Sequence, residues 1–189
     1  MKMQFHHLFL LSSIAMASTG NVKAELAHLD AHVHGLAELM IAIEGQTVDI
    51  QLQSPAMNLV GFEHKAHSES EIDAVQRAES LLNSPNLLFS FKGGQCSLIE
   101  TSVDISSVLE NDHSELDGHH HEHETDGEHH NEVSAHYQYH CNNTDELAAV
   151  SVNMFNDFPD IKQTRVLWLT ESKQAATTLD SDNYTVIFK

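Results

Sequence analysis

Leu36–Gln53 reads LAELMIAIEGQTVDIQLQ, and its alternation decides the fold. Leu39, Ile41 and Ile43 fall on every second position before Gly45-Gln46. Val48, Ile50 and Leu52 do the same after it, against Thr47, Asp49, Gln51 and Gln53. A period of two around a glycine turn predicts a β-hairpin with one buried face. These apolar rows are core and not a cofactor site.

Upstream lies His28-Leu29-Asp30-Ala31-His32-Val33-His34-Gly35. In an extended chain His28, Asp30, His32 and His34 project to one side. Two histidines at i, i+2 can chelate one ion, with Asp30 as a further ligand or a partner that orients one. His32 and His34 are the better pair, because Gly35 pins the end of the segment. An exposed arm with idle histidines is the plainer alternative.

Downstream, Ser54–His64 is a loop punctuated by Pro55 and Gly61. It delivers Glu63, His64 and then His67. His64 is a candidate ligand, with a cap or surface role as the alternative. Ser68–Leu82 predicts an acidic amphipathic helix, capped by Ser68 or Ser70 with Glu71 closing a capping box. Ile72, Val75, Leu81 and Leu82 form its apolar stripe, and Asn83-Ser84-Pro85 stops it. Leu87–Lys92 predicts a buried strand and Gly93-Gly94 a hairpin turn, with Gln95–Val103 as the strand's partner. Val133–Cys141 predicts a strand with His136, Gln138 and His140 on one face and Tyr137, Tyr139 and Cys141 on the other. His136 and His140 can supplement a metal site or line a solvated face. Asn142-Asn143-Thr144 caps a second predicted helix, Asp145–Asp157, with Leu147, Val150, Met154 and Phe155 as its stripe. Strands follow at Arg165–Thr170, Lys173–Leu179 and Tyr184–Phe188, with a turn at Asp180–Asn183. The order ββαββ, loop, βαβββ predicts an α+β domain, a mostly antiparallel sheet with two helices covering one face.

Between the two halves lies Asp112–Glu132, DHSELDGHHHEHETDGEHHNE. It holds His113, His119, His120, His121, His123, His129 and His130, and no Lys or Arg occurs between Asp104 and Glu132. Leu116 is its only large apolar residue, too little to offset the entropy of ordering. Residues 106–132 therefore predict a long disordered loop that carries ligands. Neutral imidazole binds zinc, copper and nickel, and carboxylates complete a shell. A solvated polar insert is the alternative.

Met1–Ala24 predicts a secretory signal peptide: Lys2 near the start, an apolar run at Leu8–Ala17, then small residues with cleavage preferred after Ala24. No lipobox cysteine follows, so no lipid anchor is expected, and no later segment is long and apolar enough to cross a membrane. Residues 25–189 are then expected to form one metal-binding domain. In an exported chain, an even cysteine count predicts one disulfide, Cys96 to Cys141, which encloses the histidine loop. Two thiolate ligands are the alternative. The net charge of −19 disfavours nucleic acid and anionic membranes and attracts cations.

No Ser/His/Asp elbow, CxxC, HExxH or Gly-rich phosphate loop occurs, so an enzyme is not expected. A catalytic zinc needs three ligands and an open position, whereas this chain offers many more imidazoles. That surplus suits capture and exchange.

Ala31-His32-Val33-His34-Gly35 with the hairpin, Ser54-Pro55-Ala56, Asn58-Leu59-Val60-Gly61-Phe62-Glu63-His64, a Cys strand, a His-rich tract, an aromatic strand ending at Cys141, and Phe155–Ile161 together resemble the zinc-regulated periplasmic ZrgA family of Gram-negative bacteria. The resemblance spans about residues 28 to 188. It implies periplasmic zinc binding, several Zn²⁺ ions carried as cargo, and assistance to a high-affinity zinc ABC importer, through its solute-binding protein. It points to His32, His34 and His64. A passive periplasmic buffer of zinc, copper or nickel without a dedicated partner is the alternative.

Overall fold

The computed structural model describes residues 33–109 and 131–188. The expected signal peptide, His28, Asp30, His32 and the seven histidines of the tract lie outside the described residues.

The hairpin forms as its alternation dictates. Strand β1 (Leu36–Glu44) pairs antiparallel with β2 (Thr47–Pro55) around Gly45-Gln46. Ala37, Leu39, Ile41, Val48, Ile50 and Leu52 are buried. Strands β4 (Cys96–Asp104) and β5 (Glu132–Cys141) add antiparallel on the β2 side. Strands β7 (Gln163–Thr170) and β8 (Gln174–Leu179) add on the β1 side, β7 running parallel to β1. The result is a six-stranded sheet of order β4-β5-β2-β1-β7-β8.

One face of this sheet is the core side. Helix α2 (Glu69–Leu82) packs there through Val75, Ala78 and Leu82, and the Tyr137 hydroxyl on β5 donates to the Leu82 carbonyl at 3.0 Å. Ile72, expected in the apolar stripe, is exposed. A small sheet of β3 (Phe89–Lys92), β6 (Ala149–Val152) and β9 (Thr185–Ile187), in the order β3-β6-β9, closes the rest. Aromatic pairs join the two layers: Phe89–Tyr137, Phe91–Tyr139 and Trp168–Phe188. Two four-residue helices, α1 (Met57–Val60) and α3 (Pro85–Leu88), fill the corners. The α+β class and the antiparallel dominance hold.

Leu87 and Leu88, expected in a strand, lie in α3, and α1 falls within the expected Ser54–His64 loop; two larger differences follow. Residues 145–157 are not a helix. Asn143 caps only a 3₁₀ turn at Thr144–Glu146, its side chain accepting from the Asp145 N–H, and β6 follows. Ala149, Val150 and Val152 are buried on both faces of a central strand, so no alternation marked it. Their spacing with Leu147 and Met154 also fits a helix, and β-branched Val favours the strand. The second difference is pairing. Gly93-Gly94 does not return β3 onto β4. The turn carries the chain from the small sheet to the large one, and β3 pairs with β6 instead. A Cβ at Gly93 would run into the Glu146 carbonyl oxygen, so the close approach of these two turns requires glycine there.

Cys96 and Cys141 form the expected disulfide, joining directly opposed residues of β4 and β5. It encloses a chain separation of 45 residues, worth roughly 4 kcal/mol in the loop-entropy account.

A second tie is polar. Asn58, buried in α1, accepts from the Gly35 N–H at 2.7 Å. Its amide nitrogen donates to the Leu36 carbonyl at 3.0 Å and to Ser54 Oγ at 3.1 Å. Gly35 has φ +85°, and its carbonyl accepts from the backbone of Lys162 and Gln163. The start of β1, the end of β2 and the start of β7 thus meet at one side-chain amide.

The helix cap and the two tyrosines give tests. Ser68 caps α2 by accepting from the Glu71 N–H, and Glu71 Oε2 accepts from the backbone of Ser68 and His67. Those bonds, first from the Ser68 and His67 backbone and then from the Ser68 hydroxyl, hold the Glu71 carboxyl at about 2, down from the ordinary 4.5. A folded-state pKa below the unfolded one means the contribution is full above pH 4.5 and is lost as pH falls through about 2. Ser68→Ala should cost about 1 kcal/mol by denaturant melt. Glu71→Gln should flatten the acid dependence of stability in that window. The Tyr139 hydroxyl is buried with no hydrogen-bond partner among the described residues, unlike that of Tyr137. Tyr139→Phe should therefore leave stability unchanged or raise it, while Tyr137→Phe loses about 1 kcal/mol.

Candidate metal centre

The Asn58 amide also fixes the histidine just before it. With Gly35 clamped on both sides, His34 projects over the segment that leaves α1. Gly61, at φ +87°, ends that helix and turns the chain back through Phe62, Glu63 and His64. His34 Nε2 lies 3.0 Å from Glu63 Oε1. The His34 side chain is 52 % exposed and Glu63 18 %, so the carboxylate is held and the imidazole faces solvent. A cleft of about 410 Å³, lined by His34, Gly35, Lys162, Asp180 and Asp182 among others, opens beside them.

His64 is oriented separately. Its Nδ1 sits 2.8 Å from the Lys65 carbonyl oxygen. A carbonyl can only accept, so Nδ1 carries the proton and Nε2 of the neutral ring has a free lone pair. Nε2 lies 3.6 Å from Glu71 Oε1. The ring stacks between Phe62 and His67, at centroid distances of 4.9 and 6.2 Å. A backbone carbonyl on the far nitrogen is the arrangement that orients metal-binding imidazoles.

The same segment anchors both ends of the histidine tract. Ala66 N–H donates to the Val108 carbonyl at 2.9 Å, and Lys65 Nζ donates to the Ser106 carbonyl at 2.8 Å. Asn131 Nδ2 donates to the Glu63 carbonyl at 2.9 Å, and the Asn131 carbonyl accepts from Ala56 N–H. Ser107 Oγ donates across to the Glu132 carbonyl. At the end of β4, Asp104 Oδ1 accepts from the Ser106 hydroxyl and N–H, which hold its carboxyl below the usual range and turn the chain toward Ala66. Val108 and Asn131, which flank residues 110–130, are thus both tied to the Glu63–Ala66 segment.

His136 and His140 are placed elsewhere. Both lie on the outer face of β5, with Gln138 between them. His136 Nε2 is 2.8 Å from Asp49 Oδ1, and Gln138 donates to the same oxygen at 3.3 Å. His140 is adjacent to Cys141, roughly 25 Å along the strand from Glu132 and the tract. Cys96 and Cys141 are paired and offer no thiolate.

The arrangement supplies ligand pairs. Zinc holds N and O ligands at about 2.0–2.2 Å in a tetrahedron, which separates two of them by about 3.3 Å. His34–Glu63 at 3.0 Å and His64–Glu71 at 3.6 Å bracket that value. Among the described residues no three His, Cys, Asp or Glu side chains converge on one point. The carboxylate partners Glu63, Glu71 and Asp49 were not among the ligands expected from sequence. Glu63 had a signal, since it adjoins His64 in the Gly-Phe-Glu-His stretch. Asp49 had none beyond its place on the polar face of β2.

Among the described residues no helix is long and apolar enough to cross a membrane. No curated protein matches the chain. The sequence model of the ZrgA family zinc uptake protein matches residues 31–188, a span that takes in the His34 turn, the Glu63–His64 segment, both anchors of the tract and the disulfide. The chain belongs to the ZrgA family of zinc uptake proteins.

Proposed function

We propose that this protein is a non-enzymatic periplasmic collector of Zn²⁺. It gathers ions on the histidine tract, seats them at the His34–Glu63 pair with His64 alongside, and yields them to the solute-binding protein of a zinc ABC importer. One observation carries this reading: Ser106 and Val108, through their carbonyls, and Asn131, through its side-chain amide, flank residues 110–130 and are hydrogen-bonded to the Glu63–Ala66 segment, which also carries Glu63 and His64. The family's role in zinc uptake supports the choice of metal. A fixed pair chelates more weakly than a closed four-ligand shell, and an ion held that way exchanges readily, as transfer demands. Protons compete with zinc for imidazole near pH 6.5, so loading should fall below that value. The fact that no three ligands converge among the described residues favours, as a second reading, a passive buffer without a dedicated partner.

Calorimetric zinc titration at about pH 7.5 tests the site. The mature chain is compared with a version lacking residues 113–130, and each is combined with His34→Ala/Glu63→Gln. Deletion should remove most of the stoichiometry and leave one weaker site, and the double substitution should weaken that site by about tenfold or more. Loss of all binding with the tract would remove the fixed pair from the account and put the buffer first. Asn58→Ala should destabilise the fold by about 2–4 kcal/mol and weaken the residual site with no ligand removed. Unchanged affinity in that variant would mean that the amide does not position His34. Transfer is read by mixing zinc-loaded protein with a purified apo solute-binding protein. Saturable kinetics support a dedicated partner, and rates equal to free dissociation of zinc oppose one.

A further inference from the structure

We infer that two copies of this chain associate edge to edge through β8, antiparallel about a twofold axis near Ala176–Thr177, so that the large sheet continues across both. Strand β8, QAATTL, is the end of the six-stranded sheet and is paired there with β7 alone among the described residues. Gln174, Ala175, Ala176 and Thr178 are exposed. Edge strands are ordinarily blocked against pairing by charges, proline or a bulge. This one has no charged residue and no proline, and its register with β7 is unbroken. The opposite edge is protected: β4 carries Glu100 and Asp104 and breaks register between Leu98 and Glu100. In a chain of net charge −19, an uncharged open edge is where two copies can approach.

The flanks make the edge self-complementary. Lys173 precedes the strand, and Asp180 and Asp182 follow it. A twofold axis normal to the sheet keeps each face on its own side, so opposed residues must share a face. Ala176 or Thr177 then lies on the axis. With Thr177 there, Lys173 of one copy comes to the Asp180–Asn183 turn that follows the strand of the other, which carries Asp180 and Asp182. With Ala176 there, it falls beside Asp180. Either register sets cation against carboxylate at both ends, whereas a parallel arrangement sets Lys173 against Lys173. Glu171, the nearby acid, turns toward the Gly45 N–H at 3.3 Å. On the outer face Leu167 and Leu169 of β7 are 48 % and 37 % exposed, and Ala176 pairs with Leu167. Joining the edges brings two such apolar strips side by side. Six residues of edge bury less than the roughly 1,600 Å² of a standard interface, so the association should be reversible.

Sedimentation equilibrium of the mature chain in the presence of a chelator tests this, because chelation removes association bridged by metal on histidine. A monomer–dimer equilibrium below about 0.5 mM is expected. Lys173→Glu should weaken it by about tenfold in either register, and with Thr177 on the axis Lys173→Glu/Asp182→Lys should restore it. Circular dichroism confirms that each variant is folded. A monomer throughout that range, or a dimer indifferent to both variants, overturns the proposal without touching the zinc reading.

Discussion

Gly35 is held from three directions, and much of the molecule depends on that clamp. Its N–H goes to the buried Asn58 amide, and its carbonyl takes the N–H groups of Lys162 and Gln163. A buried amide is costly unless all its valences are used, and here the oxygen and both hydrogens are. That completeness makes the junction selective. A shift of β1 by one residue would strand the Asn58 hydrogens and turn the Leu39–Ile41–Ile43 row to solvent. The parallel pairing of β1 with β7 has no short turn to fix its register, so this corner fixes it. Since Gly35 adopts φ +85°, a side chain there would be strained even where Lys162 could give way.

The β4–β5 ladder serves a different need. A tract this polar gains nothing from burial, so the fold must hold its ends. Nine residues of β4 face ten of β5, and the disulfide locks the end farthest from the tract. At the near end the stays are small hydrogen bonds: Ala66 to Val108, Lys65 to Ser106, and Asn131 to Glu63. The bridge limits the unfolded chain, whereas these bonds tie the residues that flank the tract to the segment carrying Glu63 and His64. Both are required, because a disulfide roughly 25 Å away constrains entropy and cannot aim a carboxylate.

The sequence made legible what was periodic or covalent. The β1–β2 hairpin and the Ser68–Glu71 capping box are written in nearby or evenly spaced residues, the Cys96–Cys141 bridge in an even cysteine count, and each is present. Strand β6 was misread because a strand buried on both faces has no alternation to display. Pairing of β3 was misread because Gly93-Gly94 looks like any hairpin turn, and only its approach to Glu146 shows that it changes sheets. At the site, His34 and His64 were identifiable as chemistry. Glu63 was marked only by its place beside His64 and Glu71 only as a cap, and their pairing with the imidazoles takes shape once Gly61 reverses the chain and Ser68 starts the helix.

The pairing of His34 and His64 each with one carboxylate suits the proposed work of carrying an ion. A closed set of four ligands on rigid strands would hold zinc too long to hand it on, and a bare tract would hold it nowhere in particular. His34 with Glu63 lies between those limits. In the proposed role, His34 Nε2, which donates its proton to Glu63 Oε1 at 3.0 Å, would exchange that proton for the ion. The imidazole is half exposed, so water or another protein's ligands can reach the ion from outside. The acidic surface raises the local concentration of cations of every kind, and imidazole then favours the transition metals over calcium and magnesium. Selection by nitrogen donors, loose retention by pairs and anchorage of the tract beside them are the three separate properties that the proposed role requires. The Asn58 corner is where the backbone brings them together.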